Sequence, residues 1–155
     1  MKPNSTVKEQ SLNPQPVART QAQPAVEADK LDQRVGLALQ AAAEKKAIDP
    51  TVLDLREIAS FTDFFVITSG ANERQVQAIS DEVYETLKKA GSTAARVEGY
   101  KTAEWILLDY GDFVVHVFEQ KARSFYDLER LWRESKRVEL PARLFPDTSS
   151  LRRES

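Results

Sequence analysis

Two apolar runs separated by a Gly-Asp dipeptide constrain the fold of this chain more than any other feature. The stretch 105–118 reads WILLDYGDFVVHVF, and a Gly-Asp pair between two such runs is typical of a β-hairpin with a two-residue turn. In that register Trp105 lies opposite Phe118. Leu107 then lies opposite His116, the single histidine of the chain. The sequence therefore predicts an antiparallel pair of strands joined by a tight turn.

The side chains of this hairpin divide into two faces, because neighbouring residues of a strand point in opposite directions. One face is apolar apart from one phenol and is predicted to be core: Ile106, Leu108, Tyr110, Phe113, Val115 and Val117. The other face, called the mixed face below, combines aromatic side chains with one carboxylate and one imidazole: Trp105, Leu107, Asp109, Val114, His116 and Phe118. Aromatic rings beside polar groups are typical of an interface, so a functional surface is predicted on the mixed face.

Length and composition favour one globular domain in a reducing compartment. The chain has 155 residues, 41% of them hydrophobic, which is enough for a real core. It has no cysteine, which excludes disulfides, thiolate zinc sites and a cysteine nucleophile. No run approaches the ~18 apolar residues of a membrane span, and the N-terminus lacks the apolar core of a signal peptide. We expect a cytoplasmic protein without membrane attachment.

Charge is distributed unevenly along the chain. Residues 31–132 contain 12 basic and 17 acidic side chains, whereas the two flanking segments are slightly basic. An acidic body lacks the basic stripe that neutralises phosphates, so direct DNA or RNA binding is disfavoured and a basic protein partner becomes plausible. The alternative, that an acidic surface only aids solubility, stays open on charge alone.

Composition also divides the chain into three segments. Residues 1–30 contain four prolines and four glutamines but no aromatic residue, and they are predicted to be a disordered extension. Residues 31–132 hold the periodic apolar pattern and form the predicted domain. Residues 133–155 are polar and charged with two prolines, and they are predicted to be a loosely docked or disordered tail.

The predicted element order within the domain is helix, strand, strand, helix, strand, strand, strand, helix. The first predicted helix runs from Leu31 to about Lys46. The second begins at an Asn72 cap, with Gln75 reaching back to it, and ends at Gly91, and the third follows a capping box formed by Ser124 and Asp127. The predicted strands cover 51–56, 64–69, 95–98 and the hairpin. This order predicts a single α/β domain with a mixed sheet of about five strands and flanking helices.

The sequence offers little support for enzymatic chemistry. The five glycines at positions 36, 70, 91, 99 and 111 are too widely separated for a P-loop or a dinucleotide fingerprint. No two aspartates have the Asp-x-Asp spacing that would let both share a magnesium ion. His116 could serve as a general base, but a lone histidine in a Val-His-Val strand is more often a hydrogen-bonded structural residue. No catalytic residue, metal site or cofactor is predicted.

Several short motifs occur in a fixed order: TDFFVI at 62–67, Ser-Gly at 69–70, RQVQAI at 74–79, WILLDYGD at 105–112, VHVF at 115–118 and, after Arg123, FYDLERLW at 125–132. Together they resemble the ribosomal silencing factor family, also called the Iojap or RsfS family. The resemblance covers residues 31–132. It implies an α/β domain related in fold to nucleotidyltransferases but without their catalytic carboxylates.

The resemblance also implies a function that involves binding and no catalytic turnover. Members of the family bind the large ribosomal subunit through its ribosomal protein number fourteen, block joining of the small subunit sterically, and lower protein synthesis when nutrients are scarce. Homodimers are also implied. Carried over by position, the contact region falls on Trp105, Leu107, Leu108, Asp109 and Tyr110, with His116 nearby. Leu108 and Tyr110, however, point to the opposite face in the predicted register.

Two alternatives remain at this point. The chain could be an active nucleotidyltransferase-like enzyme that uses Asp109 and His116, in which case it would bind nucleotides with magnesium. It could also be a simple oligomerisation module that uses the exposed side of the hairpin.

Overall fold

Ten helices and strands make up residues 32–140, the part of the chain that the computed structural model describes. The helices are α1 (Gln33–Glu44), α2 (Glu73–Lys89), α3 (Gln120–Tyr126) and α4 (Leu128–Leu131). The strands are β1 (Ile48–Asp54), β2 (Phe64–Gly70), β3 (Arg96–Glu98), β4 (Trp105–Asp109), β5 (Phe113–Glu119) and β6 (Lys136–Arg137). The predicted disordered extension lies outside the described residues, as does the predicted tail from residue 141 onward.

The strands form one mixed sheet in the order β3-β4-β5-β2-β1-β6. Strands β2 and β5 are parallel, and the other neighbouring strands are antiparallel. The α/β class and the mixed sheet are confirmed, but the described residues contain six strands where about five were predicted. The additional strand β6 lies beyond residue 132. It pairs with β1, and the amide of Val138 next to it donates to the carbonyl oxygen of Val52 at 2.9 Å. A two-residue strand has no apolar periodicity by which the sequence could have revealed it.

The ends of α2 follow the predicted local chemistry. The side chain of Asn72 accepts a hydrogen bond from the amide of Gln75 at 2.9 Å, and the Gln75 side chain accepts one from the amide of Ala71 at 2.7 Å. At the other end Gly91 has a positive φ of 93°, and the amide of Ser92 donates back into the last turn. The Asn72 cap and the left-handed glycine end are therefore confirmed.

The predicted capping box before the last helix is wrong. Ser124 lies inside α3, whose first amides are capped instead by the side chain of Glu119. Asp127 has a left-handed backbone with φ 49°, and it separates α3 from α4 without making a side-chain cap. Serine and aspartate cap a helix only where the backbone leaves its amides unpaired, and this pair falls where α3 is already hydrogen-bonded.

The sheet separates two cores. Helices α1 and α2 pack on one face, and the hairpin contributes to this larger core the six residues that were predicted for it. Helices α3 and α4 cover part of the other face, where a smaller core contains Phe65, Ile67, Val114, Phe118 and Leu128. Because the short helices cover only part of this second face, the mixed face of the hairpin is partly buried and partly open.

Candidate partner-binding site

The hairpin has the predicted register. Trp105 lies opposite Phe118, and Leu107 lies opposite His116. The turn is closed by a 2.9 Å hydrogen bond from the amide of Tyr110 to a carbonyl oxygen across the turn. This register assigns each hairpin side chain to a face, so the residues carried over from the family can be placed individually.

Three of those residues lie on the mixed face within reach of a partner, and three do not. Trp105, Leu107 and Asp109 are partly exposed on β4. His116 is also on the mixed face, but only 3% of it is exposed. Leu108 and Tyr110 are buried in the larger core, on the other side of the sheet. The carried-over assignment of Leu108 and Tyr110 as direct contacts therefore does not fit the structure, because adjacent strand residues point in opposite directions.

Tyr110 packs in the larger core, on the buried side of the hairpin turn. Its ring stacks on Phe113, with ring centroids 4.9 Å apart and planes 10° from parallel. The hydroxyl oxygen is buried and has no hydrogen-bond partner within the described residues. Burial raises the pKa of Tyr110 to about 12, so the phenol stays neutral at physiological pH. This side chain therefore stabilises the hairpin from the core side.

His116 is hydrogen-bonded to Trp105. The indole Nε1 of Trp105 donates to Nδ1 of His116 at 3.0 Å. Burial lowers the pKa of His116 to about 3, although the nearby carboxylate of Asp109 opposes this effect. The imidazole is therefore neutral at physiological pH and acts as an acceptor inside the protein.

Asp109 is held by two groups of the protein itself. Its Oδ1 accepts a hydrogen bond from the amide of Gly111 at 2.8 Å, which fixes the start of the turn. Its Oδ2 accepts from Arg96 on β3 at 3.2 Å, and the same guanidinium contacts Glu98 at 2.8 Å. Neither Arg96 nor Glu98 is among the site residues predicted from the sequence. The sequence did predict a short strand at 95–98, but it did not show that this strand pairs with β4 and so places Arg96 beside Asp109.

Aromatic side chains from other elements extend the mixed face. Tyr126 of α3 lies 4.9 Å from Trp105 between ring centroids. Phe65 of β2 lies 4.4 Å from His116, and Trp132 lies 5.7 Å from Phe65. Phe65 belongs to the TDFFVI motif and Trp132 to the FYDLERLW motif. The parallel pairing of β2 with β5, which places Phe65 beside His116, is not visible in the sequence.

A cleft of about 580 Å³ lies apart from the mixed face, next to β1 and α3. Asp49, Arg123 and Glu129 are among its lining residues. The donors of Arg123 are occupied by Glu129 and by oxygen atoms of β1 and β2. Within residues 32–140 there is no group of three side chains suited to hold a metal ion, and no helix has the length and apolarity needed to span a bilayer.

Comparisons with known proteins give a consistent result. The model of a family described as "Ribosomal silencing factor during starvation" matches residues 28–155. A ribosomal silencing factor RsfS from Halalkalibacterium halodurans is 43% identical over 104 residues, which is 67% of this chain and 89% of that protein. The RsfS of Bacillus subtilis is 38% identical over 71% of this chain and 95% of that protein. A chloroplastic Iojap protein of Zea mays is 39% identical over 76% of this chain and 53% of that protein.

Solved structures agree with these sequence matches. A crystal structure of a protein from Bacillus halodurans superposes with a TM-score of 0.63 at 42% identity, covering 70% of this chain and 98% of that one. A crystal structure of a protein from Chromobacterium violaceum superposes with a TM-score of 0.64 at 34% identity, covering 70% of this chain and 88% of that one.

Proposed function

Because this chain belongs to the ribosomal silencing factor family, we propose that it binds the large ribosomal subunit through ribosomal protein number fourteen of that subunit. The bound protein then occupies space at the subunit interface and blocks association with the small subunit. Protein synthesis falls as a result, and the proposed occasion is nutrient limitation. The mechanism needs a binding surface and enough bulk, without turnover of a substrate, so we propose that the chain is not an enzyme. The proposed compartment is the cytoplasm.

The observation that carries the proposal is the open part of the mixed face. There Trp105 and Leu107 are partly exposed beside the carboxylate of Asp109. Tryptophan is one of the residue types that most often dominate binding energy in protein interfaces, and a charge beside it orients docking. We propose that these three residues contact the partner, while Leu108, Tyr110 and His116 support them from buried positions.

The charge of the chain supports a basic partner. Residues 31–132 carry 12 basic and 17 acidic side chains. Opposite charges on two proteins mainly speed and orient docking, whereas the desolvated anchors supply most of the affinity. We therefore expect the association rate to fall with added salt and the dissociation rate to depend on Trp105.

A co-sedimentation assay tests the proposal. The full chain is incubated with purified large subunits, with purified small subunits, or alone, and is then spun through a sucrose cushion. We expect it to pellet with large subunits only, and we expect Trp105→Ala to reduce the bound fraction. Ile58→Ala is the matched control, because Ile58 is an exposed apolar side chain outside the hairpin. Equal binding of all three proteins would contradict this site.

We further propose that the chain forms a homodimer. Apolar side chains remain exposed around the smaller core, among them Phe61, Phe125 and Leu131. Exposed apolar surface is a common feature of association sites between proteins. Light scattering over a range of concentrations tests this, and the same measurement with ribosomal protein number fourteen present shows whether the dimer and the ribosomal partner compete.

A further inference from the structure

We propose that His116 is a positioning residue for Trp105: its buried imidazole fixes the indole ring in one orientation on the mixed face. The partner then meets the hydrocarbon surface of the ring and not its N–H group. This inference rests on the proposed function, because it describes how the main anchor of that binding site is presented.

The strand register brings the two side chains together. Trp105 lies opposite Phe118 on the neighbouring strand, and His116 is two residues before Phe118 and so faces the same way. This diagonal placement puts the indole Nε1 3.0 Å from the imidazole Nδ1. The imidazole is almost completely buried, whereas the indole is partly exposed. The buried imidazole of His116 thus holds the indole of Trp105, which reaches the surface.

The hydrogen bond defines the protonation state of His116. An Nδ1 atom that accepts a hydrogen bond carries no proton, so the proton of the neutral ring sits on Nε2. Within the described residues Nε2 is buried without a hydrogen-bond partner. Aromatic rings enclose the imidazole instead, with ring centroids 4.4 Å away for Phe65 and 6.3 Å away for Phe118. A buried polar atom without a partner is costly, so the hydrogen bond at Nδ1 is the polar contact that offsets the burial of this ring.

The indole is restrained by other contacts as well. The rings of Phe118 and Tyr126 each lie 4.9 Å from the Trp105 ring between centroids. With its only polar atom bonded to His116, the indole can offer a partner only its apolar surface or its π face. A ring that is already fixed before binding loses little conformational entropy when the complex forms.

Two substitutions of nearly the same shape separate the hydrogen bond from the packing. His116→Asn places a carbonyl oxygen close to the position of Nδ1 and keeps an acceptor for the indole. His116→Leu fills a similar volume without an acceptor. We expect His116→Leu to bind purified large subunits about fivefold more weakly than the original chain, and His116→Asn to stay within about twofold of it. The indole N–H resonance of Trp105 in a ¹H–¹⁵N spectrum should shift with the leucine variant and stay close to its original position with the asparagine variant.

A third variant removes the donor. Trp105→Phe keeps an aromatic ring but has no N–H, so adding His116→Leu to it should leave the affinity for large subunits unchanged. The same fivefold loss in that background would overturn the proposal, because it would show that His116 acts only through general packing. Wild-type affinity of the single leucine variant would overturn it too. The two proposals fail separately, since the binding site itself fails only if Trp105→Ala binds large subunits normally. If His116→Asn does not fold, the comparison of His116→Leu, Trp105→Phe and the double variant is sufficient to test the role of the hydrogen bond.

Discussion

Two hydrogen bonds join the guanidinium of Arg123 to the carboxylate of Glu129: Nε donates to Oε1 at 3.2 Å, and Nη2 donates to Oε2 at 2.9 Å. Nη1 of Arg123 also donates to the hydroxyl of Ser69 at 2.9 Å and to the carbonyl oxygen of Asp49 at 2.7 Å. One side chain of α3 is thereby tied to α4, β1 and β2. Because α3 also carries Tyr126, which packs on Trp105, this contact helps to hold the candidate site in place.

The first prediction concerns this contact. Arg123→Gln should lower the free energy of unfolding by about 3 kcal/mol, because it leaves a poorly exposed carboxylate and several oxygen atoms without their donor. Urea denaturation followed by circular dichroism measures this. Arg137→Gln is the matched control: Arg137 is 3.8 Å from the same carboxylate but 63% exposed, so its loss should cost less than about 1 kcal/mol. Equal costs would contradict the role assigned to Arg123.

The second prediction compares two glycines with positive φ. At Gly99, where φ is 82°, an added Cβ would lie 2.1 Å from the backbone oxygen of Trp105. At Gly91, where φ is 93°, it would meet nothing within 4 Å. Gly91→Ala should therefore cost only the backbone strain, about 1 kcal/mol. Gly99→Ala should cost clearly more in urea denaturation and should also weaken binding to large subunits, because the start of β4 must move. A similar small cost for both variants would contradict the close approach at Gly99.

The third prediction concerns charge at the site. Asp109→Lys should weaken binding to large subunits more than Asp109→Asn, because the lysine repels a basic partner while the amide only loses the attraction. Binding is measured by co-sedimentation at low and moderate salt. Glu85→Lys is the control, since it makes the same charge change on the exposed side of α2, across the sheet from the mixed face. Equal effects of the two Asp109 variants would refute a charge contact there.

The fourth prediction follows from the single histidine. Burial lowers the pKa of His116 from 6.5 to about 3 in the folded protein, so below pH 6.5 the unfolded chain binds a proton that the folded chain does not. As far as this group is concerned, the free energy of unfolding is highest above pH 6.5 and falls as the pH drops toward 3. Between pH 6.5 and pH 5 the original chain should lose roughly 2 kcal/mol of unfolding free energy more than His116→Leu does. Parallel pH profiles of the two proteins would contradict a buried, neutral His116.

Local chemistry explains which parts of the fold the sequence revealed. The hairpin register followed from a turn dipeptide and from side-chain alternation, and the ends of α2 followed from Asn72 and Gly91. Each of these signals lies within a few residues of the structure that it specifies. The Ser124 capping box failed although it was local, because a serine is also compatible with the interior of a helix, which is where Ser124 lies.

The candidate site could be predicted only in part, because some of its contacts join different strands and have no local signal in the sequence. The register that defines the mixed face was predicted correctly. The ion pair of Asp109 with Arg96 and the contact of Phe65 with His116, however, each depend on the pairing of two different strands. Alternation within one strand says nothing about which strand lies beside it. The burial of His116 likewise depends on Phe65 packing against it from a distant strand.

Subunit association tests the central claim most directly. Purified large and small subunits are mixed at a magnesium concentration that supports joining, with an excess of the full chain or of Trp105→Ala, and the products are separated on a sucrose gradient. We predict that the original chain keeps the subunits apart and comigrates with the large subunit, while Trp105→Ala permits whole ribosomes to form. If whole ribosomes form as well with the original chain present as without it, the account is contradicted.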